Sequence, residues 1–112
     1  MVKKINHVAI AVADIEKAAE FYEKHLGMKM SGRETVASNK VRVGFIPVGQ
    51  SRLELVQPDA PDSPVAKFLE KRGPGMQHLC LEVDDIDSVV ARLREAGVRL
   101  INESPIPGAH GY

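Results

Sequence analysis

The sequence predicts an α+β fold built on two copies of one strand-then-helix unit. Three observations predict it. First, the stretches Asn6 to Glu16 and Gln77 to Asp87 repeat one another: setting His78 on His7 also sets Val83 on Val12, Asp85 on Asp14 and Ile86 on Ile15, each pair identical. Second, each copy is an alternating run with a histidine near its start, followed by an aspartate and apolar residues at helical spacing. Third, two more alternating runs, Val41 to Pro47 and Arg52 to Gln57, lie between the copies and are joined by a short glycine-containing connection.

In the first copy Val8, Ile10 and Val12 share one face of the strand and His7, Ala9 and Ala11 the other, and the branched face suits a packed core. Asp14 is placed to cap a helix whose Ile15, Ala18, Ala19, Tyr22 and Leu26 form one side and which Gly27 ends. From Met28 to Lys40 the composition turns polar, which predicts a strand fragment and then a loop. The runs around Val48-Gly49-Gln50-Ser51 predict a hairpin, with Leu53 and Leu55 on one face and Arg52, Glu54 and Val56 on the other. Ser63-Pro64 reads as an N-cap with proline in the first turn of a short helix, Val65 to Lys71, stopped by Arg72-Gly73-Pro74-Gly75.

In the second copy Leu79, Leu81 and Val83 share a face, so His78, Cys80 and Glu82 project from the other. Asp84 and Asp85 begin a helix expected to bury Ile86, Val89, Val90 and Leu93. Val98 to Ile101 reads as a strand, and Glu103 to Tyr112 as a loop.

A chain of 112 residues suits a single domain. Fifteen basic and fifteen acidic side chains give a net charge of zero, so no basic excess points to nucleic acid or an anionic membrane. Cys80 is the only cysteine, which excludes an internal disulfide and suits a reducing compartment. No long apolar segment follows Met1, so neither a signal peptide nor a membrane span is expected and a cytoplasmic protein is.

His7, Glu54 and His78 are three potential metal ligands on three strands, each opposite that strand's aliphatic set. Imidazole and carboxylate together suit a divalent ion such as cobalt, manganese, iron, nickel or zinc and leave positions for substrate. Taken singly, each also fits a structural role, the histidines at strand starts and Glu54 as a solvated strand residue. The repeat favours the metal, because packing has no need for histidine at the same point of both copies. His25 falls in the last turn of a helix, where a cation complements the dipole. His110 stands between glycines of a loop and suits either solvent or contact with substrate. Cys80 reads as a small filler. Arg42, out of phase with Val41 and Val43, is either exposed or placed to hold an anionic group.

Five stretches carry a resemblance: Asn6 to Val12, Arg52 to Pro58, Asp62 to Leu69, Gln77 to Ile86 and Gly108-Ala109-His110-Gly111. Together they resemble the methylmalonyl-CoA epimerases of the vicinal oxygen chelate superfamily, which also holds glyoxalases, extradiol dioxygenases and bleomycin-binding proteins. The resemblance implies paired βαβββ modules forming a curved mixed sheet around a central cavity. It implies one glyoxalase-like domain over residues 1–112, with module one about 1–73 and module two about 74–112. It also implies that His7, Glu54 and His78 bind a divalent ion, among cobalt, manganese, nickel, zinc and magnesium. The family's fourth ligand is a glutamate in the last strand of module two. By the repeat it falls at about position 125, past Tyr112, so the second module is expected to be incomplete.

The implied activity is metal-dependent epimerisation of methylmalonyl-CoA, by removal and return of the α-proton through a chelated enediolate. Glu54 is the candidate ligand and acid–base group, and Arg42 and His110 are candidate substrate contacts. The expected partners are a small acyl-CoA and a second copy in a homodimer, with no nucleic acid and no membrane. The alternatives are another metalloenzyme of the superfamily, of glyoxalase or dioxygenase type, or a non-catalytic binding module should the chain end at Tyr112.

Overall fold

The computed structural model describes residues 1–100. The chain runs β1 (Val2–Ala11), α1 (Ile15–Leu26), β2 (Gly32–Val36), β3 (Val41–Val48), β4 (Ser51–Pro58), α2 (Pro64–Arg72), β5 (Gly75–Val83) and α3 (Ile86–Glu95), with a 3-10 turn at Ala37–Asn39. The five strands form one mixed sheet in the order β2-β3-β4-β1-β5. β1 lies parallel to β4 and antiparallel to β5, and the other neighbours are antiparallel. This is the α+β architecture predicted, with an open sheet.

Local signals place the helices as expected. Asp14 accepts from the backbone of Glu16 and Lys17 to start α1, and Gly27 ends it in the left-handed conformation at φ 66°. The Ser63 hydroxyl accepts from Ala66 N at the start of α2, with Pro64 in its first turn. Asp85 caps α3 through Ser88.

Both faces of the sheet are packed, where the sequence pointed to the branched face of β1 alone. On one side α1 brings Ile15 and Ala19 against Val12, Ile46 and Leu55. On the other, Val65, Phe68 and Leu69 of α2 cover Ala9, Ala11, Val43, Phe45 and Val56. Alanines suit the second face because they let α2 approach the strand closely. Two expectations for the second unit are not met among the described residues. The apolar side of α3 has no buried residue, and Ile86 is half exposed, because no described strand lies over it. Residues 98–100 belong to no strand, since a strand needs a pairing partner and none is described beside them, and Ile101 lies outside the described residues. No helix among the described residues is long and apolar enough to cross a membrane.

Candidate functional site

The pairing of β1 with both β4 and β5 gathers the site. His7 stands opposite Arg52 and Ala9 opposite Glu54 on the parallel side, while His7 faces Cys80 and Ala9 faces His78 on the antiparallel side. His7, Arg52, Glu54, His78 and Cys80 therefore share one face of the sheet. It is the face α2 covers at its other end. Phe45 pairs with Glu54 from β3 and forms its floor, and the Arg52 guanidinium lies over the Phe45 ring at 5.4 Å.

Two β-bulges aim the histidines. The β1–β5 register shifts between Ile5 and His7, leaving Asn6 as an extra residue on β1, and again between Ala9 and Ile10, leaving Gln77 as an extra residue on β5. Each bulged residue carries an amide, and each amide turns to the histidine after it. Asn6 Oδ1 lies 2.9 Å from Nδ1 of His7, and Gln77 Oε1 lies 3.0 Å from Nδ1 of His78. The Asn6 amide is oriented by its own donation to Glu82 Oε1 at 3.2 Å. An amide oxygen only accepts, so each Nδ1 carries the hydrogen and each Nε2 presents a lone pair.

Those two Nε2 atoms face each other at 3.2 Å, with the rings nearly perpendicular. Burial, with His78 and Arg52 beside it, lowers the His7 pKa to about 4, and partial burial lowers that of His78. A proton is thus a poor occupant of the gap near neutral pH, and two lone pairs at this distance call for a cation. Two nitrogens bound to one ion at about 2.0–2.1 Å, in octahedral to tetrahedral geometry, stand about 2.8–3.4 Å apart. The histidine pair fits that spacing.

Glu54 is 4% exposed and completes the donor chemistry, but its carboxylate is turned elsewhere. Its Oε2 lies 2.8 Å from Nε of Arg52 and 3.1 Å from Nδ1 of His7. In keeping with that orientation, no group of three His, Cys, Asp or Glu among the described residues is disposed to hold an ion as placed. The structure thus joins His7, Glu54 and His78 in one cluster, with Glu54 on the Nδ1 side of His7.

Arg42 is not brought to this face. It is exposed on the α1 side of β3, where it pairs with Thr35 and Gln57. His110 lies outside the described residues. His25 is exposed on α1 and its ring lies beside Phe21. Cys80 sits opposite His7, and burial together with the charge of Glu54 raises its thiol pKa, which disfavours the thiolate.

Four residues escaped the sequence reading. Arg52 was visible only as a neighbour in phase with Glu54. Asn6 and Gln77 carried a signal, an amide before the histidine in both copies. Glu34, opposite Val43, brings a further carboxylate to the same face from β2.

Residues 6–112 match the family model described as Glyoxalase/Bleomycin resistance protein/Dioxygenase superfamily. The chain is 43% identical over 109 residues to the mitochondrial methylmalonyl-CoA epimerase of Homo sapiens, an alignment covering 96% of this chain and 62% of that protein. The chain therefore spans under two thirds of that relative's length. Among solved structures it resembles methylmalonyl-CoA epimerase from Mycobacterium tuberculosis at a TM-score of 0.93 and 39% identity, over 98% of this chain and 75% of the other. It also resembles a variant of Streptomyces coelicolor methylmalonyl-CoA epimerase in complex with 2-nitronate-propionyl-CoA, at a TM-score of 0.94 and 31% identity, over 99% and 81%.

Proposed function

The chain belongs to the Glyoxalase/Bleomycin resistance protein/Dioxygenase superfamily, and from that membership we propose that it is a metal-dependent epimerase of methylmalonyl-CoA. It inverts the carbon between carboxylate and thioester by removing one α-proton, passing through an enediolate, and returning a proton on the opposite face. The observation that carries the reading is the pair of repeat-related histidines, Nε2 to Nε2 at 3.2 Å, in a chain 43% identical to a methylmalonyl-CoA epimerase.

His7, His78 and Glu54 would hold the divalent ion. When bound, that ion supplies Lewis-acid stabilisation of the negative charge developing on the carboxylate and thioester oxygens. The chain's own residues do the rest. Asn6 and Gln77 hold Nδ1–H of each histidine and so keep both Nε2 lone pairs inward. Arg52 pairs with Glu54 and holds its carboxylate in place. Phe45, Val43 and Ala9, packed under α2, give the cluster a dry apolar flank. Glu34 and Glu54 stand on strands flanking β3 and on the same face of the sheet as the histidines, and they are the carboxylates this chain offers for proton transfer.

The reading includes a homodimer in an aqueous compartment. Among the described residues β5 is an edge strand, and Leu79, Leu81 and Ile86 beside it are each about half exposed, a surface that a second copy would cover.

The test is solvent exchange. In deuterium oxide with added cobalt or manganese, the protein should place deuterium on the α-carbon of methylmalonyl-CoA. If no deuterium enters, while the methylglyoxal–glutathione adduct or a catechol is turned over, the epimerase reading gives way to another chemistry of the superfamily.

A further inference from the structure

A cavity of about 360 Å³ opens between α2 and β5, lined by Pro64, Lys67, Phe68, Lys71, Arg72 and Gln77. Its composition is unusual for this protein. The chain as a whole is neutral, yet every ionisable side chain on this lining is a cation. Lys71 and Arg72 make no ion pair with any described carboxylate, while Lys67 lies in the field of Asp62, which is paired with Lys40. Like charges gathered on one lining repel one another, and an anion relieves that repulsion.

The cavity also touches the site already described. Gln77 lines it, and the same Gln77 accepts from Nδ1 of His78. Phe68 is shared in the same way, since it lines the cavity and packs on the cluster that contains Phe45 and Ala9. A ligand whose reacting end reaches the histidines can therefore continue past Gln77 and along Phe68 to the three cations without leaving this face of the sheet.

We infer that this cavity is the subsite for the phosphate-bearing end of an acyl-CoA, its apolar wall along Pro64 and Phe68 taking the pantetheine arm and Lys67, Lys71 and Arg72 taking phosphate oxygens. The inference rests on the acyl-CoA reading above and names the residues by which this chain selects a coenzyme A thioester over a short one. Arginine and lysine both suit phosphate, the first by paired N–H donors and the second as a point charge. All three cations are exposed on α2, Lys71 and Arg72 in its last turn, so replacing them leaves the core intact.

The test compares two thioesters on the full chain by calorimetric titration: methylmalonyl-CoA, and methylmalonyl-pantetheine, which lacks the phosphates. In the Lys71→Gln/Arg72→Gln variant the dissociation constant for methylmalonyl-CoA should rise by at least about tenfold, while that for methylmalonyl-pantetheine stays within about twofold. For the unaltered chain, raising salt should weaken methylmalonyl-CoA and leave the pantetheine ester unchanged. A variant that binds methylmalonyl-CoA as tightly as the unaltered chain overturns the subsite and leaves the acyl-CoA reading standing. An unaltered chain that binds neither thioester overturns both.

Discussion

His7 and His78, 71 positions apart in the chain, meet Nε2 to Nε2 at 3.2 Å, and each is held from behind by the amide of the residue before it. The pair is the meeting point of the two copies of the repeat, and it is built for neutral imidazoles.

That neutrality has a pH signature. The folded pKa of His7 is lowered from 6.5 to about 4, so between those values the unfolded chain binds a proton that the native chain does not. The resulting stability is fully present above about pH 6.5 and is lost as pH falls toward 4. In metal-free protein the urea midpoint should therefore drop across this window, and His7→Gln should flatten the drop. Equal pH dependence in the two proteins would show that His7 is not its source.

Metal affinity should depend on both copies of the repeat. His78→Gln removes one of the two facing lone pairs and should weaken cobalt binding by at least about tenfold, read from the visible absorption of the bound ion. Gln77→Leu should keep the ligand but release its tautomer, giving a smaller loss together with a changed imidazole nitrogen shift for His78 in metal-free protein. Unaltered affinity in both variants would place the ion elsewhere.

Arg52 and Glu54 form an ion pair in which the carboxylate is buried and the guanidinium nearly so. Removing one partner strands the other, so Arg52→Met should cost about 3 kcal/mol in metal-free protein. Since Glu54 is then without its strongest partner, added cobalt should restore more stability to the variant than it gives the unaltered chain. Chemical unfolding with and without cobalt measures both effects.

Gly44 lies where β3 passes under α1. A Cβ there would stand 2.7 Å from Sδ of Met30 and 2.9 Å from Cγ2 of Ile15. Met30 can move, but Ile15 is buried in the first turn of α1, so Gly44→Ala should cost about 1–3 kcal/mol. A thermal midpoint unchanged by the substitution would mean that α1 gives way without cost.

Replacing Ser63 by alanine isolates the cap of α2. Ser63 is fully buried and its hydroxyl accepts from Ala66 N, so the loss should be about 1 kcal/mol, while Ser63→Asp should recover part of it. Stability equal to the unaltered chain in both variants would mean that the first turn needs no side-chain acceptor.

The order of strands and helices was legible because caps and alternation are local. Asp14, Gly27 and Ser63-Pro64 each act within one turn, and each does what its residue type dictates. The shared face of His7, Glu54 and His78 was legible for a similar reason, since alternation along a strand assigns sides. Arg42 shows the limit of that argument. On β1, β4 and β5 the polar members of the site lie opposite most of the aliphatic ones, but on β3 Val41, Val43 and Phe45 face the site themselves because α2 covers it. Alternation says which residues share a side, and only the covering helix says what that side is for. The bulges at Asn6 and Gln77 were beyond reach as well, because a register shift is a property of two strands together. The unburied side of α3 makes the same point, since periodicity marks a face made for burial without supplying what buries it.

The parallel alignment of β1 with β4 has a consequence for how the site is kept in place. Were β4 to slip by one residue, Arg52 and Glu54 would turn into the oily layer under α1, and Leu53 and Leu55 would come out beside the histidines. What forbids the slip lies on the far side of the sheet, where Leu55 and Ile46 are wholly enclosed. The carboxylate facing His7 is thus anchored by hydrocarbon it never touches, and a mutation in that distant layer can disarm the histidine pair while every polar residue remains present.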